Sequence, residues 1–103
     1  MFVLSSQVLD LCVLATVNKE DTYGYKLTQD LIEAISISES TLYPVLRRLQ
    51  KDNCLTTYDQ PFGGRNRRYY QITPEGRRQL KKYEQDWIGY KESIDKIIRG
   101  DLK

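Results

Sequence analysis

Cationic side chains are concentrated in two short stretches in the middle of the chain. The first contains Arg47, Arg48 and Lys51, and the second is the run Arg65-Asn66-Arg67-Arg68. Residues 38–82 hold ten basic and four acidic side chains, whereas the segments before and after them carry net charges of −3 and −1. A cationic block of this kind can neutralise the phosphates of a nucleic acid, or it can be a solvated surface without a partner.

Residues for most kinds of catalysis are missing. The sequence contains no histidine, the commonest catalytic base and transition-metal ligand. Cys12 and Cys54 lack the CxxC spacing of redox and zinc sites, so we interpret both as reduced thiols in the core. There is no glycine-rich phosphate loop, and no pair of acids has an evident pocket. We therefore expect neither an enzyme nor a bound metal or cofactor.

The composition predicts one soluble domain. The chain has 103 residues, of which 40% are hydrophobic and 29% are charged. Its longest apolar stretch, Leu11 to Val17, is far shorter than the roughly 20 residues that cross a bilayer. The first residues lack the basic segment and cleavage pattern of a secretory signal. We expect a cytoplasmic protein without a membrane partner.

Apolar periodicity predicts two helices in the first third of the chain. The first, Ser5 to about Val17, is apolar on two faces, so one face needs cover from another element or subunit. The second follows Thr22, which we predict to be its capping residue. Its apolar residues form one stripe: Leu27, Leu31, Ala34 and Ile35.

A third helix is predicted to run to about Asp52. Either Ser38 or Ser40 can cap it, and Pro44 favours Ser40 because proline is tolerated only within the first helical turn. A start at Ser38 would need a local distortion. Asn53 then occupies the position of a left-handed C-terminal cap. The residues left on the outer surface of this helix are Thr41, Tyr43, Arg47, Arg48 and Lys51.

The remaining residues predict a hairpin and one long helix. Residues 55–58 and 68–72 have strand composition, and the turn-forming residues 59–67 between them predict a long tip. Thr73 and Pro74 are a strong helix start, and the helix continues to about Arg99. Along it, residues spaced alternately by three and four form the seam of a coiled coil: Leu80, Tyr83, Trp87, Tyr90, Ile94 and Ile97.

This order of elements predicts a mainly α fold with a small β-hairpin, a winged helix-turn-helix in residues 1–73. Residues 74–103 form a C-terminal dimerisation helix that completes one compact unit. In this arrangement the third helix enters the major groove of double-stranded DNA, and the hairpin reaches a neighbouring groove or the backbone. We predict DNA contacts from the following residues: Ser40, Thr41, Tyr43, Arg47, Arg48, Lys51, Arg65, Asn66, Arg67, Tyr25 and Lys26.

Four segments resemble the PadR family of bacterial transcriptional repressors: Tyr23-Gly24-Tyr25, residues 40–49 (STLYPVLRRL), Gly63-Gly64-Arg65 and residues 68–76 (RYYQITPEG). The resemblance covers roughly residues 8 to 98. It implies a homodimeric repressor whose C-terminal helix packs on the partner's first helix, which would cover that helix's second apolar face. The predicted interface residues are Leu4, Val8, Leu80, Tyr83, Trp87, Tyr90, Ile94 and Ile97.

Trp87 also predicts a binding site for a small molecule. Near a two-fold axis, two copies of Trp87 could flank a flat aromatic effector, with Tyr83 and Tyr90 beside it. The alternative is that Trp87 and Tyr90 are ordinary interface anchors. We predict a repressor, released by a hydrophobic or aromatic effector, that reads a pseudo-palindromic operator with half-sites roughly 34 Å apart. The competing function is a winged-helix protein-interaction module that does not bind DNA.

Overall fold

The computed structural model describes residues 2–101, and this part of the chain contains four helices and three strands. The predicted fold class is confirmed. In chain order the elements are α1 (Ser6–Lys19), β1 (Thr22–Tyr23), α2 (Gly24–Ile35), α3 (Glu39–Lys51), β2 (Leu55–Phe62), β3 (Arg65–Ile72) and α4 (Pro74–Arg99).

The core lies where α1, α2 and α3 meet the sheet and the first turns of α4. Leu14 and Leu27 are completely buried at its centre. Each such side chain stabilises the fold by about 1.5–3 kcal/mol through loss of apolar surface to water. The other buried apolar residues of this core are Leu9, Val13, Val17, Leu31, Leu42, Val45, Leu46, Leu49, Cys54, Leu55, Ile72 and Leu80.

The sheet is antiparallel, in the order β1-β3-β2. Its hairpin has a two-residue turn, Gly63-Gly64, with φ angles of 58° and 79°. Positive φ at both positions matches the twist of the flanking strands and favours glycine. The prediction of a long tip is therefore wrong, because the strands continue to the turn. Pro61 is tolerated there because β2 is an edge strand.

Thr22 does not cap the second helix, contrary to the prediction. It lies in the short strand β1, where it pairs with Tyr70 of β3. Its side chain is buried, and Tyr23 occupies the N-cap position of α2 without a side-chain hydrogen bond. A two-residue strand has no periodicity of its own, so only its pairing with β3 identifies it.

The third helix begins after Ser38 rather than at Ser40, so this prediction was wrong. The hydroxyl of Ser38 accepts a hydrogen bond from the backbone N–H of Thr41 at 3.2 Å and lies 3.0 Å from the hydroxyl of Ser40. These hydrogen bonds satisfy polar groups at the N-terminus of α3, and the helix continues through Pro44. Asn53 has a φ of 62°, which confirms the predicted left-handed cap.

The long helix α4 begins and ends as predicted. The Thr73 hydroxyl accepts from the backbone N–H of Gly76 at 2.9 Å, and Pro74 occupies the first turn. Gly76 and Leu80, both near the start of α4, are its buried residues. With 26 residues the helix is about 39 Å long, so most of it extends beyond the core.

Candidate nucleic-acid interface and apolar groove

The outer face of α3 presents polar and cationic side chains to solvent. Tyr43, Arg47 and Lys51 are exposed along the helix. Leu42, Val45, Leu46 and Leu49 on the opposite face are buried, which fixes the direction of the outer face. The structure thus brings together five predicted DNA-contact residues on one surface: Ser40, Thr41, Tyr43, Arg47 and Lys51.

Arg48, another predicted DNA-contact residue, is half-buried and paired with an acid of its own chain. Its Nη1 and Nη2 atoms each donate to a different carboxylate oxygen of Asp10, both at 2.7 Å. Asp10 is only 3% exposed, and a buried carboxylate requires a partner of this kind. The hydrogen bond with Asp10 raises the pKa of Arg48, so the guanidinium is charged at every relevant pH.

Tyr25 and Lys26 lie at the start of α2, and both are exposed. The ammonium of Lys26 donates to Asp30 at 2.8 Å on the next turn. That hydrogen bond raises the pKa of Lys26. Because the pair is on the surface, it leaves Lys26 accessible to another anion.

Two wing cations are exposed, and a third is folded onto aromatic rings. We call the β2–β3 hairpin the wing. Arg65 follows the turn and is exposed, as is Arg68, which lies 3.6 Å from Asp59. The guanidinium carbon of Arg67 lies 3.4 Å from the centre of the Phe62 ring and 3.9 Å from that of Tyr23.

This position of Arg67 differs from the predicted reach toward DNA. Strand alternation places Arg67 on the sheet face that also carries Tyr69 and Phe62, and cation–π attraction holds it there. The tip residues that remain directed to solvent are Arg65 and Asn66.

An aromatic ladder continues beneath Arg67 across the same face. The rings of Tyr58 and Tyr69 are stacked with centres 5.5 Å apart, and Tyr23 meets Tyr69 edge-on at 5.7 Å. The hydroxyl of Tyr58 donates to Asp21 at 2.7 Å, and this hydrogen bond raises the pKa of Tyr58 to about 12. The ladder therefore ties the wing to β1 and to the turn before it.

An apolar groove lies between the start of the chain and α4. It has a volume of about 600 Å³. Trp87 is 42% exposed and Tyr90 is 62% exposed, with ring centres 6.3 Å apart. The residues that line the groove are Phe2, Val3, Leu4, Ser5, Gln7, Val8, Leu11, Tyr83, Asp86, Trp87 and Tyr90.

The structure brings most of the predicted interface residues to this side of the molecule. Ile94 and Ile97 continue the exposed apolar stripe along α4 beyond Trp87. Leu80 is an exception and corrects the prediction, because it is 4% exposed and packs in the core of its own chain. The seam starts on α4 before the helix has left the core, so its first residue is already covered.

Sequence reasoning missed several residues that organise this site. Asp10 is the only acid of α1 and interrupts the apolar run from Val8 to Leu14, which is a readable signal that a buried partner exists. Tyr23, Phe62 and Gly76 had no such signal, because their roles depend on contacts between distant segments. Gly76 is needed because a Cβ there would collide with the backbone oxygen of Cys54 and lie 2.7 Å from Ile72.

Metal sites and membrane-spanning helices are both absent from residues 2–101. Among these residues, no group of three or more acidic, cysteine or histidine side chains could hold a metal ion. None of the helices in this range combines the length and apolar character needed to span a bilayer.

The chain is similar to known proteins in both sequence and structure. The sequence model of the Transcriptional regulator PadR-like family matches residues 13–82. The crystal structure of smu.1704 from Streptococcus mutans is similar with a TM-score of 0.91 and 39% identity, over 99% of this chain and 96% of that one. A PadR-like transcriptional regulator from Bacillus cereus has a TM-score of 0.81 and 31% identity, over 88% and 91% of the two chains. Transcriptional regulator Rv3488 from Mycobacterium tuberculosis is 41% identical over 61 residues, 58% of this chain and 57% of that protein.

Proposed function

Because this chain belongs to the PadR-like family of transcriptional regulators, we propose that it represses transcription by binding double-stranded DNA as a homodimer in the cytoplasm. The family match confirms the resemblance found in the sequence motifs, and it assigns the chain to regulators rather than enzymes. Binding to DNA, repression and dimer formation are the proposal.

The exposed polar face of α3 is the observation that carries the DNA-binding proposal. Arg47 and Lys51 lie one turn apart on it, and neither forms a salt bridge with any residue in 2–101. Side chains free of internal partners are available to phosphates, and hydroxyls and amides beside them can reach base edges. The proposed contact residues are Ser40, Thr41, Tyr43, Arg47 and Lys51 of α3, Arg65 and Asn66 of the wing, and Tyr25 and Lys26 of α2.

The exposed apolar stripe of α4 supports the homodimer. Trp87, Ile94 and Ile97 are between 38% and 52% exposed on the same side of the helix. A contiguous apolar surface of this kind is unusual on a monomer and is typical of an interface. A second copy offers the same stripe and the same groove, so a two-fold arrangement would cover both at once. The α3 helices of the two subunits would then contact half-sites roughly 34 Å apart.

Salt dependence tests the DNA-binding proposal. We expect the affinity for the DNA upstream of the protein's own gene to fall steeply with salt, because each phosphate contact releases counterions. Arg47→Met and Lys51→Met should each reduce the magnitude of the slope of log affinity against log salt by about 2, because the dimer carries two copies of each residue. Lys96→Met, an exposed cation at the far end of α4, is the matched control and should leave the slope unchanged.

The salt dependence distinguishes a DNA-binding regulator from a protein-interaction module. A winged-helix protein-interaction module would bind duplexes weakly, with little response to salt and none to the α3 substitutions. If the wild-type protein behaves in this way, DNA binding is refuted. In a reporter assay on the same upstream DNA, deletion of the protein should raise expression, and a fall would identify an activator instead.

The groove supports a small effector of aromatic character. Trp87, Tyr83 and Tyr90 line it together with aliphatic side chains. Such walls suit a flat apolar guest, which could release DNA by favouring a different angle between subunits. Trp87 is the chain's only tryptophan, so its fluorescence reports directly on the groove. Titration with planar aromatic compounds should quench it and weaken DNA binding, and the absence of both effects would exclude the effector.

A further inference from the structure

We propose that the Asp10–Arg48 ion pair is a positioning element that fixes α3 relative to the dimerisation helices, and so sets the operator spacing the protein accepts. The inference rests on the proposed DNA-binding dimer. It assigns to Arg48 a role different from that of its neighbour Arg47, although both belong to the same cationic stretch.

The pair joins the element that reads DNA to the elements that form the groove. Asp10 lies on α1, directly before the groove residue Leu11, and Arg48 lies in the last turn of α3. The hydroxyl of Tyr83, a groove residue of α4, lies 3.5 Å from Oδ2 of Asp10. Three helices therefore meet at one buried carboxylate.

The geometry of the pair explains why it can act as a positioning element. Two parallel N–H···O bonds of 2.7 Å define both the distance and the direction of Arg48 relative to Asp10. The leucine and valine contacts between α1 and α3 do not specify direction so strictly, because apolar packing is tolerant of small rotations. Loss of the pair should therefore leave α3 folded but less strictly oriented.

The same geometry keeps the guanidinium of Arg48 on Asp10, which uses two of its five N–H donors although the side chain is 40% exposed. If its guanidinium turned to DNA, the carboxylate of Asp10 would be left charged and buried without its partner. Arg47 has no such obligation, since it is exposed and forms no salt bridge within residues 2–101. The two adjacent arginines are thus a matched pair for experiment.

Operator spacing is the property that distinguishes the two roles. Affinity is measured for the operator and for versions with one base pair added or removed between the half-sites, at protein concentrations where the dimer is complete. Arg47→Met should weaken binding to all three equally and reduce the magnitude of the salt slope by about 2, one contact for each subunit. The double variant Asp10→Leu with Arg48→Met should keep the salt slope. Its spacing preference, the ratio of the affinity for the operator to that for the altered versions, should fall by about 3- to 30-fold, the usual range for altered coupling between sites.

The double variant replaces the ion pair by apolar groups, so no buried charge is left alone. Arg48→Lys is a second variant that keeps the charge but lacks the fork of two donors, and it should lose spacing preference in the same way. If either variant keeps the wild-type spacing preference, the proposal is overturned. A salt slope lowered by Arg48→Met would also overturn it, because that result identifies a phosphate contact.

A measurement without DNA separates this inference from the proposed function. A spin-labelled unnatural amino acid at the exposed Gln50 of α3 reports the distance between the two copies of α3 in the dimer. We expect a narrow distribution for the wild type and a broader one for the double variant. Equal widths would refute the positioning role even if DNA binding is established, whereas salt-insensitive wild-type binding would refute the proposed function itself.

Discussion

The core-forming part of the molecule and the outer half of α4 differ in how they are held together. In the first part, residues 6–83, buried side chains from every helix meet in one core. In the second, residues 84–99, nearly every side chain is exposed, including Trp87, Ile94 and Ile97. The difference shows that the first part is stabilised by its own contacts, whereas the second has few tertiary contacts within the chain and, under the proposed dimer, would be stabilised by the partner subunit.

The largest expected effect concerns a buried glycine in the first region, near the start of α4. Gly76→Ala places a Cβ against the backbone oxygen of Cys54 and 2.7 Å from Ile72. Neither the backbone nor the buried Ile72 can move away freely, so we expect a loss of about 4 kcal/mol or more in the free energy of unfolding. Urea unfolding followed by circular dichroism measures it. A loss below about 1 kcal/mol would show that the contact of α4 with Cys54 and Ile72 is loose.

Truncation of one core residue and one exposed residue should separate the regions by their response to dilution. Leu14→Ala should lower the free energy of unfolding by about 2–5 kcal/mol at any protein concentration, because Leu14 is completely buried. Ile97→Ala, at a residue 52% exposed, should act by weakening the dimer, so its effect should depend on concentration.

Thermal unfolding at several protein concentrations, with sedimentation to measure dimer dissociation, checks both variants. Concentration-independent destabilisation by Ile97→Ala would mean that the outer half of α4 is stabilised within the monomer. The expectation that a second subunit stabilises the outer half of α4 would then be wrong.

A second glycine in α4 should behave in the opposite way to Gly76. At Gly89 a Cβ meets nothing within 4 Å, and the residue lies off the apolar seam. Gly89→Ala should therefore stabilise the helix by about 1 kcal/mol, the difference in helix propensity between the two residues. An increase in helical signal and melting temperature would support this. Destabilisation would show instead that Gly89 faces a covered surface in the dimer.

The smallest expected effect is a pH dependence within the core-forming part. The hydrogen bond to Asp21 raises the pKa of Tyr58 to about 12, above the value of roughly 10 for an unfolded tyrosine. The neutral phenol is the form that folding favours, so its contribution is complete below pH 10 and declines between pH 10 and 12. The stability difference between wild type and Tyr58→Phe should shrink over this range, and a constant difference would contradict the role of the hydrogen bond.

Within the candidate site, adjacent arginines also divide into two kinds. Arg47 and Arg65 are directed to solvent, whereas Arg48 is bound to Asp10 and Arg67 lies on Phe62 and Tyr23. Composition and spacing could not separate them, since each pair belongs to one cationic run. The partners of Arg48 and Arg67 are distant in sequence or on the opposite strand, and no local pattern connects them.

Much of the architecture was already determined by the sequence, because helices and hairpins depend on local periods and end signals. The apolar stripe of α3, the cap at Thr73 and Pro74 and the left-handed Asn53 were predicted from neighbouring residues alone. The PadR-like motifs likewise identified the family before any fold was known.

The tertiary structure alone decided the features that depend on packing between distant segments. It placed Thr22 in a strand, buried Leu80 in its own core and paired Arg48 with Asp10, 38 residues earlier in the chain. A residue's type states what bonds it can form, but the choice of partner depends on which helices and strands lie within about 3 Å of it once the chain has folded. For this protein that choice separates the arginines that remain exposed from those that are paired within the chain.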